Sequence, residues 1–305
     1  MVNEDVKTMP EEQSIRIRGK IIRVASLESD GYDPLNDAES LLADLNASRA
    51  GIDVFTFIET MPRTVPQFPF KMEWDNLAVL PVSSFDDWWN KQIDRKTRNM
   101  ARKGDKKGLT VREVAFDDDF VKGIFEIYNE CPVRQGKRFW HYGKPIETVR
   151  RENATFLARS ILIGAFFEGS LVGFIKMVVD RNGQQARVMQ ILSKVIHRDK
   201  APTNAMIAEA VRSCADRKIP YLVYSSFSYG RKQRDSLAEF KSSCGFQRVE
   251  IPRYYIPLTI RGRIAMQLGL HHRLSERVPE PVLATFRRAR GAWNAQRFRH
   301  EAGSV

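Results

Sequence analysis

Three cysteines are spread through 305 residues, Cys131, Cys214 and Cys244, and no two stand in a C-x-x-C spacing. That scarcity excludes a disulfide framework and a cysteine-built metal centre, and it points to a reducing compartment. No run of about 18 apolar residues occurs, which excludes a membrane-spanning helix as a reading of the sequence. The opening MVNEDVKTMPEEQS carries acids and no apolar stretch, so no secretory signal is expected there. There is no short-period repeat and no low-complexity tract. No Ser-His-Asp constellation is legible, and Cys131 lacks the context of a nucleophile. The adjacent His271 and His272 read as incidental, and no metal is expected. A soluble cytoplasmic enzyme is the default expectation.

What is present is apolar substance and localised charge. Hydrophobic residues make up 43% of the chain and aromatics 10%, enough for a packed core. The net charge is +12, and it is concentrated. Residues 91–107 hold eight Lys/Arg against two Asp, and residues 260–305 hold nine Arg against three Glu, so each segment carries +6. Patches of this kind attract phosphates, nucleic acid or anionic lipid, although a solvated basic face is an equally common outcome.

Hydrophobic periodicity divides the chain. Residues 1–14 read as a disordered tail, and 15–90 as an N-terminal α/β subdomain with strands at Gly19–Leu27, Asp53–Ile58 and Asn76–Pro81. A helix is expected from Ser84 through the basic segment to Lys103. Residues 91–258 form the main domain, and from Leu109 its order is β-α-α-β-β-β-α-β-α-β. The helices fall at Asp118–Asn129, Glu147–Ser160, Asn204–Arg217 and Ser236–Ser243, and the Asn182-Gly183 pair marks a hairpin turn. Residues 259–305 form a basic helical tail. There Val282, Phe286, Ala289 and Trp293 make one stripe among arginines, fit to dock on the core or a partner, or to touch an anionic membrane. The class is a mixed α/β sheet flanked by helices.

Two stretches carry a resemblance. Ser236–Phe246 ends in Gly245-Phe246, similar to the helix-to-last-strand ending of Gcn5-related N-acetyltransferases (GNAT), with Lys241 where that family commonly has Tyr. Phe240-Lys241, the basic Arg95–Lys103 and the following Gly108-Leu109-Thr110-Val111 are similar to the Fem-type branch. The resemblance implies a GNAT-like sheet over residues 91–258, with 15–90 a reduced counterpart of the first Fem half. It further implies acyl transfer by direct attack on an activated donor. Acetyl-CoA or another acyl-CoA is the first expectation for that donor and aminoacyl-tRNA the second. The expected acceptor is an amine of a small molecule or of a cell-envelope or polysaccharide precursor. A module without catalysis that binds nucleic acid or membrane is the third reading.

The residues able to carry that chemistry follow from position. In the implied fold the loop after the fourth strand holds the donor pyrophosphate on backbone N–H groups. Here that loop, His197–Ala205, has no glycine, so Arg198 and Lys200 could supply charge while Thr203 or Asn204 caps the helix. Lys241 is the expected oxyanion or phosphate partner. The loop from Asn129 to Lys144 crowds arginines and aromatics: Arg134 and Arg138 could grip an anion while Trp140 or Tyr142 stacks. Glu130 or His141 is the expected general base. Tyr229 and Lys232 are further donor contacts. Each of these also has an ordinary structural explanation as a capped helix, an anchored loop or a polar turn.

Overall fold

The computed structural model describes residues 14–48, 50–134, 136–228 and 236–272. Tyr229, Lys232, the Val282–Trp293 stripe and its arginines lie outside them. In chain order the elements are β1 (Ile15–Arg18), β2 (Val24–Leu27), α1 (Ala38–Ala47), β3 (Val54–Ile58), β4 (Met72–Pro81), α2 (Phe85–Asp87), α3 (Arg95–Lys106) and β5 (Leu109–Glu113). Then follow α4 (Asp118–Asn129), β6 (Val133–Arg134), β7 (Lys137–Arg138), α5 (Ile146–Asn153), β8 (Ser160–Phe167), β9 (Ser170–Val179) and β10 (Gln185–Ser193). The chain ends its described part with α6 (Pro202–Asp216), β11 (Tyr221–Val223), α7 (Ser236–Ser243), β12 (Gln247–Pro257) and α8 (Ile260–Gln267).

The chain divides into two compact units, one containing residues 14–77 and 248–272 and the other 78–247. In the first, the strand order is β1-β2-β3-β12, and α1 closes a core of Leu41, Leu45, Phe55, Phe57 and Tyr254. The buried Arg253 donates to Asp30 at 3.2 Å and to Asp75 at 3.1 Å. Of the strand expected at Gly19–Leu27 only Val24–Leu27 forms, because Gly19 turns the chain at φ +87° after β1.

In the second unit the order is β4-β11-β10-β9-β8-β5, antiparallel except for the β10–β11 pair. One face packs α6 over Ile163, Val172, Ile175, Met206, Ala210 and Leu222. The other packs α4 and α5 over Phe120, Ile124, Tyr128, Val149 and Phe174. The result is a mixed, mostly antiparallel sheet with helices on both faces, as the sequence pattern implies.

The basic helix is separate from the one before it. Trp88–Gln92 is a turn of π-helix, Ile93 is extended, and Asp94 restarts the helix by accepting from the Thr97 N–H at 2.7 Å. Helix α3 buries only Thr97, Ala101 and Gly104. This narrow small-residue stripe lets it approach α6, and a Cβ on Gly104 would meet Leu109 at 3.0 Å and the Lys200 carbonyl at 3.3 Å. Its Arg95, Lys96, Arg102 and Lys106 are exposed. Helix α5 stops at Asn153, short of the expected Ser160, with Phe156 in the left-handed region leading into a short 3-10 turn. Gly245 takes φ +89°, which lets the Phe246 N–H close on the Lys241 carbonyl at 3.0 Å while its ring enters the core.

Glu59, at the end of β3, is 1% exposed, and neither carboxylate oxygen has a hydrogen bond. Burial raises its pKa to about 7, against the opposing pull of Arg63. Because the folded pKa is raised, the stability it contributes is present below pH 4.5 and lost as pH rises through 7. Glu59→Gln is therefore expected to match the parent near pH 4 and exceed it by roughly 2–3 kcal/mol at pH 8. Urea unfolding at the two pH values measures the difference.

Candidate functional site

The only parallel pair in the 78–247 unit, among the described residues, also opens. Gln185–Arg187 pair with Tyr221–Val223, after which β11 ends and β10 continues to Ser193. Val188–Ser193 thus has no strand neighbour on the β11 side among the described residues. On its other side Val188 faces Met177 and Gln190 faces Lys176, so Met189 is the extra residue of a bulge. An edge opened inside a sheet leaves main-chain N–H and C=O groups available to a ligand, at the carboxyl ends of parallel strands where α/β sheets bind them.

One wall of this crevice is a polar network beneath the 131–145 loop. Tyr128, from α4, exchanges hydrogen bonds with the Gln190 amide at 2.6 and 2.9 Å and accepts from Asn153 of α5 at 3.3 Å. His141 stacks on the Tyr128 ring at 4.2 Å, with Nε2 at 3.4 Å from Gln190. Burial, then the charges of Lys144 and Arg134, push the imidazole down to about 4 against the opposing pull of Glu152. It is neutral at physiological pH. Trp140 stands 75% exposed at the rim with the Lys144 ammonium 4.5 Å over its ring, and Tyr142 and Arg138 are also exposed.

The chain leaving β10 toward the expected donor loop is held by neighbouring side chains. Glu130 accepts from the Val195 N–H at 2.7 Å and the Ile196 N–H at 3.0 Å, and from Arg134 at 3.0 Å. Arg134 also donates to the Ser193 and Ile127 carbonyls at 2.9 Å and covers Phe139. Both side chains are thus committed to holding the loop onto β10, which leaves neither posed as a base or an anion grip. Lys200 covers Phe167 at 4.2 Å and lies 3.5 Å from Asp199, which also binds Lys107 at 2.7 Å. Arg198 is exposed. Helix α6 begins at Pro202 after a left-handed Ala201, so Thr203 and Asn204 are inside it and cap nothing. Thr203 Oγ1 lies 3.5 Å from the Ser193 hydroxyl.

Lys241, the expected oxyanion or phosphate partner, is fully buried. Its ammonium donates to the Ser226 carbonyl and lies 4.7 Å over the Tyr224 ring, bracing the chain as it leaves β11. The structure thus brings Glu130 to Arg134, and His141 to Tyr128 and Gln190. It does not join Lys241 to either group. Sequence reasoning missed Tyr128, Gln190, Asn153 and Lys176. Tyr128 carries the signal of a polar tip on an apolar helical face, whereas Gln190 and Lys176 read as ordinary strand residues. Lys176 is 1% exposed, donates to the Asn153 and Thr155 carbonyls, and is pushed by burial down to about 8.

No protein-family model matches the chain, and no curated protein does. Solved structures do. The C-terminal domain of a proposed lysylphosphatidylglycerol synthetase from Agrobacterium fabrum is 12% identical, with TM-score 0.55 over 83% of each chain. L-PGS from Bacillus licheniformis is 11% identical, with TM-score 0.55 over 85% of this chain and 86% of that one. FemX is 10% identical, with TM-score 0.55 over 83% and 85%. At such identities the likeness establishes the fold alone: the chain is built on the plan that these three structures share, FemX among them.

Removing the Glu130 carboxylate leaves two amides and a guanidinium without their acceptor. Glu130→Ala is expected to cost about 3 kcal/mol in urea unfolding, and Glu130→Gln, which keeps one acceptor oxygen, about half of that. Equal losses for both variants would mean that the charge alone matters.

Proposed function

We propose that the protein transfers an aminoacyl group from aminoacyl-tRNA to an amine of a small molecule or cell-envelope precursor. The observation that carries this reading is the Glu130 carboxylate seated on the Val195 and Ile196 N–H groups. These amides stand just before the His197–Ala205 loop expected to hold a diphosphate, and the carboxylate on them repels an anion brought there. The loop thereby favours a donor whose phosphates are bound elsewhere over acyl-CoA. The exposed cations of α3 offer that elsewhere. The helix is tied to the same loop by the Lys107–Asp199 pair and the close approach at Gly104. The Fem-like fold adds weight, and one of the similar structures carries a name whose product joins lysyl to phosphatidylglycerol.

In the proposed step the acceptor amine attacks the ester carbonyl carbon. The bond to the ribose oxygen breaks, and the amine's proton leaves with that oxygen. Main-chain groups along the open edge of β10 polarise the carbonyl. Gln190, Tyr128 and neutral His141 orient the acceptor. A group with a pKa near 4 is a poor proton acceptor at neutral pH, so His141 positions rather than deprotonates. Lys241 acts through the Tyr224–Ser226 turn as a positioning residue.

The test is transfer of radiolabelled amino acid from bulk aminoacyl-tRNA, run beside a panel of acyl-CoAs. Binding to tRNA is expected to fall steeply with salt as phosphate contacts are lost. The triple variant Lys96→Glu, Lys103→Glu, Lys106→Glu is expected to weaken it at least tenfold without changing the melting temperature by more than about 2 °C. Turnover of acyl-CoA with no binding of tRNA would overturn the reading in favour of the other donor.

A second outcome concerns pH. Because the His141 pKa is lowered, no imidazole limb is expected in kcat/KM between pH 6 and 8, and His141→Gln should lower the profile without changing its shape. A limb near 6.5 that vanishes in His141→Gln would make the imidazole the base after all.

A further inference from the structure

Within the 14–77 and 248–272 unit, Glu73 at the start of β4 meets two histidines that lie 198 and 199 residues further along. His271 Nε2 is 3.3 Å from Glu73 Oε1, and His272 Nε2 is 3.4 Å from Oε2. One ligand atom from each residue fits within a group no wider than 4.8 Å. The imidazoles pack on each other at 4.0 Å, and Tyr255 packs edge-on against both, at 4.7 and 5.8 Å. The two rings are therefore fixed side by side with the same nitrogen turned to one carboxylate.

We infer that Glu73, His271 and His272 form a binding site for a divalent transition ion of the zinc class. Two imidazoles and a carboxylate are a recurrent zinc donor set, and they leave at least one position for water or another ligand. The two imidazole nitrogens face different oxygens of the one carboxylate, each at a distance longer than a good charge-assisted hydrogen bond. Zinc–nitrogen bonds of about 2.0–2.1 Å at a tetrahedral angle place neighbouring donors about 3.3–3.4 Å apart. Good charge-assisted N–H···O bonds lie nearer 2.7–2.9 Å.

The surroundings agree. His271 is 3% exposed, so its ring is held in a fixed position. Its Nδ1, turned away from Glu73, is buried without a hydrogen bond of good geometry. That is the place of the outer partner that commonly orients a metal-bound histidine. A bound ion would tie the end of α8 to β4, a cross-link between segments far apart in the chain. All three residues belong to the 14–77 and 248–272 unit, whereas the proposed transfer site is built in the 78–247 unit.

The experiment uses the full chain, stripped with chelator and titrated with zinc alone by calorimetry, then with cobalt by absorption. One zinc per chain is expected, with cobalt giving the intense visible bands of a tetrahedral N/O site. His272→Gln, at a half-buried position, and Glu73→Gln should each weaken zinc binding at least tenfold, with folding checked by circular dichroism. His197→Gln, a change in the 78–247 unit, should not. No zinc bound at 100-fold excess over protein, or affinity unchanged in both His272→Gln and Glu73→Gln, would overturn the assignment.

Discussion

The separation of β10 from β11 after three paired residues is the constraint on which the site depends. A sheet interior normally pairs every main-chain group, because an unpaired buried N–H or C=O costs as much as a lost hydrogen bond. Opening one edge in mid-sheet is tolerated only where other groups take over. Here Arg134 serves the Ser193 carbonyl, Glu130 serves the amides just beyond it, and Lys241 serves the carbonyl of Ser226 where the chain leaves β11. Three charged side chains that look like catalytic equipment in the sequence thus hold the crevice open. Their charge suits the task, since bonds from or to an ionised group are about twice as strong as neutral ones.

This explains which parts of the molecule were legible in the sequence. The helix and strand order of residues 109–257 follows from local periodicity, and Gly245-Phe246 signals its helix ending because the positive φ and the buried ring are local requirements. The break at Asp94 is local too, and the pattern-based expectation of one long helix overlooked a capping aspartate in a run of cations. The site is another matter. Glu130 and the amides it serves are 65 and 66 residues apart, and the Tyr128–Gln190 pair is 62 residues apart. Nothing in either neighbourhood marks the partner. The same holds for His271 and His272, whose significance depends on Glu73, at the far end of the sequence from them.

Two buried lysines show how position decides role when chemistry does not. Lys176 and Lys241 are each almost wholly removed from water, and each donates to main-chain carbonyls. Burial alone would mark both as candidates for pKa-tuned chemistry. Lys176, however, is enclosed by oxygens of Asn153 and Thr155 at the end of α5, where a cation complements the helix carbonyls, and it points at the joint between helix and strand. Lys241 instead braces the turn at the mouth of the β10–β11 split. A change at Lys176 acts on the fold as a whole, while one at Lys241 acts on the shape of the crevice. Under the proposed function only the second bears on the binding of an acceptor, and that makes Lys241 the more informative of the two.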